Sequence, residues 1–142
     1  MHRILLPVDG SEASLRAVDR ALKIASLLKE QAEIHLLNVQ LAMRQGVTSF
    51  VSPKQIDGHH HDEGIKELAS ARAKLDAAKV PYQFHIGVGG EPAEVIAHYA
   101  KDKKCDQVVM GTRGLGSVAG VLLGSVTTRV IQLVDVPVLL VK

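Results

Sequence analysis

The residues most able to do chemistry in this chain are three glycines and a serine. Gly111, Gly114 and Gly124-Ser125 follow the spacing G-x2-G-x9-G-S. Glycine lets a backbone adopt positive φ and approach a ligand closely, and successive amides in such a loop can point at phosphate oxygens. Gly124-Ser125 also opens a helical pattern, whose first N–H groups and dipole favour an anion. That dipole is worth about 0.3–1 kcal/mol at an exposed site. Ser125 and Thr127 could add hydroxyl donors, and Arg113 one cation. A flexible loop with incidental glycines is the competing reading.

Several phosphate-handling devices are absent. The sequence has no G-x-x-x-x-G-K-[ST], no G-x-G-x-x-G after its first strand and no S-G-G-x-D-S loop. Arg113 is the only cation between Gly111 and Thr128, so a triphosphate there would be held mostly by neutral dipoles. That suits binding more than phosphoryl transfer, which needs charge neutralisation and a positioned nucleophile. Asp9, in Pro7-Val8-Asp9-Gly10-Ser11, is the nearest candidate acid. It is read first as an acceptor for a base amino group and second as a magnesium ligand. No residue is assigned a catalytic role.

Positioning these groups falls to an alternation of strands and helices. Short apolar runs at 4–8, 33–39, 82–88, 106–110 and 136–141 read as strands, and the first is closed by Asp9-Gly10. Ser11 reads as an N-cap for a helix over 12–30, with Leu15, Val18, Leu22, Ala25 and Leu28 as its apolar stripe. Further helices are expected over 62–79, from Pro92 onward, and over 125–134. The order predicts an α/β fold in a single domain, 1–142. Its expected form is a doubly wound, Rossmann-like, five-stranded parallel sheet with helices on both faces. The strands read as continuously apolar, as doubly covered strands must be. Alternation alone does not order them. The common doubly wound arrangement, 3-2-1-4-5, would put the ends of the first and fourth strands beside one crevice.

Composition narrows the field. The 142 residues include no Trp, two Tyr and two Phe, so the core is aliphatic and a base-stacking nucleic-acid surface is disfavoured. The net charge of +2 gives no broad basic footprint. A lone cysteine, Cys105, reads as a small filler and fits a reducing compartment. Met1-His2-Arg3 runs straight into an apolar strand, unlike a signal peptide, and no apolar run has membrane-spanning length. A cytoplasmic protein is expected. Residues 40–62 show no clear period and read as a long loop. Within it, His59-His60-His61-Asp62-Glu63 is read as solvated, because adjacent histidines rarely converge on one metal. His35 and His85 are read as hydrogen-bonded packing residues, and His98 as lying on a polar helix face.

Three stretches together resemble a known family. Ile4-Leu5-Leu6-Pro7-Val8-Asp9-Gly10-Ser11-Glu12 resembles the opening of universal stress proteins. Met110-Gly111-Thr112-Arg113-Gly114, then Leu123-Gly124-Ser125-Val126, then Val136-Pro137-Val138-Leu139-Leu140-Val141 resemble that family's close. Some members lack the glycines and do not bind ATP, so this chain resembles the ATP-binding branch. The resemblance implies that Pro7, Val8, Asp9 and Val39 border the adenine. It implies that Gly111, Arg113, Gly114, Gly124, Ser125 and Val126 meet ribose and phosphates, with Met110 and Thr127 beside them. ATP, with or without magnesium, is the implied ligand, and a stress-response or regulatory module the implied role. A slow ATPase is the alternative. A flavin domain is disfavoured, since no aromatic suited to stacking on the ring lies near the crevice. The family's segment equivalent to 40–62 is variable. Its members commonly dimerise through the last strand, and the apolar 136–141 run with Pro137 suits an edge that a second copy would cover.

Overall fold

In the computed structural model, residues 1–42, 52–114 and 119–142 are described. The chain runs β1 (His2–Pro7), α1 (Glu12–Leu27), β2 (Ala32–Leu41), α2 (Pro53–Ala78), β3 (Tyr82–Gly89), α3 (Pro92–Asp102), β4 (Gln107–Gly111), α4 (Ser125–Leu133) and β5 (Val138–Val141). The five strands form one sheet in the order β3-β2-β1-β4-β5, and every pairing is parallel. β1 pairs with β2 through Ile4↔Ile34 and Leu6↔Leu36, and with β4 through Leu5↔Val108. The chain order therefore reverses between β1 and β4, where doubly wound sheets hold ligands.

Strand pleating sorts the core onto two faces. Ile4, Leu6, Ile34, Leu36 and Val109 pack with Val18 and Ala21 of α1 and with Leu68, Ala71 and Leu75 of α2. On the other face, Leu5, Leu37, Val108 and Met110 pack with Ile96 and Ala100 of α3 and Val130 of α4. Cys105 is buried in this second layer, and burial pushes its thiol up to about 11, which fits a filler rather than a nucleophile.

Three local expectations need correction. First, α1 is anchored through Ser14, Ala17, Val18 and Ala21, with Leu15 and Leu22 only partly buried beside them. Small residues occupy the deepest positions because α1 lies close against β4. A Cβ on Gly111 would stand 3.0 Å from the carbonyl carbon and Cβ of Ala13. Leu28 caps the helix in an extended conformation and does not extend its stripe.

Second, the segment 40–62 is not one long loop. β2 continues to Leu41 and α2 already starts at Pro53, while 43–51 lies outside the described residues. The helix start is a capping box: the Ser52 hydroxyl accepts from the Gln55 amide, the Gln55 side chain accepts from the Ser52 amide, and Pro53 takes the first turn. His59, His60 and His61 are therefore helical. His60 is buried, with Nε2 3.1 Å from the Leu41 carbonyl, so it is not solvated as expected.

Third, β3 is not doubly covered. It is the sheet edge opposite β5, and Gln83, Phe84 and Val88 are exposed. His35 and His85 do form a packed pair, stacked with ring centroids 5.3 Å apart and Nδ1 to Nε2 at 3.0 Å. Glu33 accepts from the far nitrogen of His35 at 2.8 Å. Burial, then the neighbouring His35, holds the His85 imidazole below its ordinary pKa.

Candidate functional site

The site forms where β1 and β4 end. β1 passes through Pro7 and Val8 into Asp9 and Gly10, then enters α1 at Ser11. Gly10 has φ of +86°, a left-handed value that favours glycine. The Asp9 carboxylate accepts from the Ser11 amide at 3.0 Å, which fixes the turn. The Ser11 hydroxyl in turn accepts from the Ser14 amide at 3.2 Å and starts α1.

Beside it, β4 ends at Gly111 and enters the glycine loop. Thr112 donates to the Val141 carbonyl at 3.0 Å and accepts from the Gly124 amide at 2.8 Å. The second bond closes the loop at the mouth of α4. Arg113 reaches across it, with Nη1 3.4 Å from the Val121 carbonyl. Residues 115–118 of the loop lie outside the described residues.

These ends frame a cleft of about 730 Å3, within the range of small-molecule sites. Pro7, Val8, Asp9, Val39, Met110, Gly111, Arg113, Gly114, Gly124, Ser125, Val126 and Thr127 all line it. Every residue that the sequence nominated thus sits on one wall or another of a single cleft.

How the glycines work differs from the expectation. Gly111, Gly114 and Gly124 do not adopt positive φ; Gly124 has φ of −70°. What matters is the missing Cβ. At Gly114 a Cβ would collide with the Asp9 carboxylate, so this glycine lets the β1 and β4 loops close on each other. Gly111 admits α1, as described above. Gly124 is the N-cap of α4 and has no side chain with which to cap it. The first amides of a helix have no intrahelical partner, and Ser125, Val126 and Thr127, which carry three of them, line the cleft.

Two groups nominated as anion donors are committed internally. The Gly124 amide goes to Thr112, and the Thr127 hydroxyl, on a buried residue, donates to the Gly111 carbonyl at 3.1 Å. Ser125 is exposed, and its hydroxyl stays a candidate donor.

The sequence reading missed the wall made by β2 and α2. Gln40, Leu41, His59, His60 and Glu67 line the cleft there. Asn38 is fully buried and holds this corner. Its Nδ2 donates to the Val8 carbonyl at 2.9 Å and to Glu67 Oε2 at 2.6 Å. Gln40 Nε2 donates to Asn38 Oδ1 at 2.8 Å and approaches Glu67 Oε2 at 3.4 Å. A buried amide must find partners, and Asn38 inside an apolar strand was the available signal.

The universal stress protein family model matches residues 1–142. The chain belongs to the universal stress protein family. YxiE of Bacillus subtilis (strain 168), a universal stress protein, is 33% identical over 149 aligned residues, covering 99% of both chains. Among solved structures, MJ0577 of Methanocaldococcus jannaschii superposes with a TM-score of 0.85 at 28% identity, covering 99% of this chain and 95% of that one. A universal stress protein solved in complex with cAMP superposes with a TM-score of 0.73, also at 28% identity, covering 99% and 97% of the two chains. No helix among the described residues is long and apolar enough to cross a membrane.

Proposed function

We propose that this protein is a cytoplasmic ATP-binding member of the universal stress protein family, acting as a regulatory module in a stress response. The observation that carries the reading is the bare N-terminus of α4, glycine-capped and opening into a cleft at the reversal of strand order. Phosphate oxygens would meet the Ser125 and Val126 amides and the Gly114 loop, with the Ser125 hydroxyl and Arg113 alongside. Apolar Pro7, Val8 and Val39 give the base a dry seat at the other end. Asp9 lies against Gly114, between the two ends. That position suits a ribose hydroxyl or a base amino group, and magnesium on the phosphates is a further use of the same carboxylate. The similar protein that carries cAMP supports an adenine nucleotide as the ligand class. The domain read as nucleotide-binding spans 1–142.

One exposed cation cannot neutralise a triphosphate. Signalling by occupancy is therefore favoured over turnover. The competing reading is slow ATP hydrolysis, with Asp9 as the acid that lines the cleft nearest the glycine loop. With labelled ATP and magnesium, Asp9→Asn should leave any trace of product formation within about twofold of wild type. A loss of about a hundredfold, the scale of a removed acid–base group, would make the protein an enzyme.

The same reading includes a homodimer through 136–141. β5 is a sheet edge, and Leu139 on it is exposed, as is Ile131 of nearby α4. Sedimentation at the single-chain mass of 15.3 kDa would remove that part of the reading. The direct test of the whole is mass analysis of small molecules released from freshly purified protein, where ATP is expected.

A further inference from the structure

Glu67 is the second acid on the cleft, and it stands beside Gly10 on the wall formed by β2 and α2. It belongs to α2, while the open amides belong to α4. Its corner is mixed: Asn38 and Gln40 contact Glu67 directly, and Val8, Val39 and Leu41 line the same cleft. A carboxylate there repels phosphate. It calls for a ligand part with flat apolar faces and a hydrogen-bond donor at its edge.

The carboxylate is also held in place. Asn38 Nδ2 donates to Oε2 at 2.6 Å, and Gln40 Nε2 approaches the same oxygen at 3.4 Å. Asn38 is itself fixed by the Val8 carbonyl at 2.9 Å. Among the described residues, no hydrogen bond falls on Oε1. A fixed acceptor of this kind discriminates, because a ligand that cannot donate leaves it unpaired in a half-buried corner.

We infer that Glu67 is a specificity-determining residue that selects a 6-amino purine over a 6-oxo purine. Its free oxygen accepts a hydrogen from the exocyclic amino group. A 6-oxo group would set two acceptors against each other. This rests on the nucleotide reading above and deepens it, since it names the contact that reads the base.

The test uses the full chain and five titrations, three of wild type and two of Glu67→Gln. ATP and inosine triphosphate differ at the 6-position, and N6,N6-dimethyl-ATP keeps the nitrogen but loses its donor hydrogens. Wild type should bind ATP at least about tenfold more tightly than either analogue, the worth of one hydrogen bond to a charged group. In Glu67→Gln the amide oxygen can still accept from Asn38, which turns the amide NH2 toward the ligand. The ATP preference over inosine triphosphate should then shrink by about tenfold or reverse. Dimethyl-ATP that binds wild type as well as ATP does would overturn the inference without any variant. So would an unchanged ratio in Glu67→Gln, or an equal loss for ATP and inosine triphosphate, which would place Glu67 on the ribose or in the scaffold. In those cases nucleotide binding itself stands. If wild type binds none of the three, the nucleotide reading fails and this inference goes with it.

Discussion

Gly124→Leu is expected to purify free of nucleotide and to bind added ATP at least about a hundredfold more weakly, with little change in stability. A Cβ at Gly124 meets only ordinary contacts, 3.5 Å from the Arg113 Cα and 3.6 Å from the Thr112 carbonyl oxygen. Its backbone, φ −70° and ψ 162°, suits any residue. The fold thus tolerates a side chain there, and a leucine would place its branches at the cleft that Gly124 lines. They would cover the open amides of α4 with apolar surface that cannot hydrogen-bond phosphate. Losing two to three charge-assisted hydrogen bonds at about 1.5–3 kcal/mol each exceeds a hundredfold in affinity. Gly124→Ala, which adds only a methyl in van der Waals contact, should lose far less. Calorimetric titration of both variants with ATP checks the pair. A leucine variant that binds like wild type would remove phosphate from this end of the cleft.

Leu68→Ala should destabilise the protein by about 2–5 kcal/mol, read from denaturant unfolding. Leu68 is fully buried between α2 and the sheet, within the cluster that includes Ile4, Ile34 and Val109. With Ala71 and Leu75 it forms the three- and four-residue stripe that docks α2. The helix N-terminal to this stripe is mostly polar and exposed, so the stripe carries most of its attachment. Because Glu67 is the preceding residue, loosening α2 should also weaken ATP binding, whereas the phosphate end of the cleft keeps its own supports. A loss under about 1 kcal/mol would mean that α2 is not packed as described.

How much of this was legible in the sequence depends on how local each signal was. Strands β1 and β4 announce themselves as short apolar runs, and β2 as an apolar run broken by His35 and Asn38, because both their faces are covered. The turn at Asp9-Gly10-Ser11 is readable for the same reason, since its cap and its glycine lie within three residues. The residues of the glycine loop were legible, but their physical role was not. Positive φ is a property of single residues, whereas the close approaches of Gly111 to Ala13 and of Gly114 to Asp9 exist only once α1 and the β1 loop are in place. Thr127 looked like a donor to ligand until the fold set its hydroxyl against the Gly111 carbonyl.

The β2–α2 wall shows the same limit. The first turns of α2 carry no apolar period, so they read as loop. Only the Ser52–Gln55 box marks their start. Glu67 became a site residue through Asn38, which lies 29 positions earlier in the chain. β3 misled in another way. Its position at the edge leaves Gln83 and Phe84 exposed, which no apolar count over 82–88 reveals.

The central claim is that the start of α4 and the backbone at Gly114 together hold a chain of phosphates. Backbone amide chemical shifts, followed while ATP and then adenosine are added to labelled protein, test it most directly. ATP should move the Ser125, Val126 and Gly114 amides strongly, and adenosine should move them little while both shift Val8 and Val39. If ATP leaves the three amides where they were, or if adenosine moves them equally, the phosphates lie elsewhere and the claim is wrong.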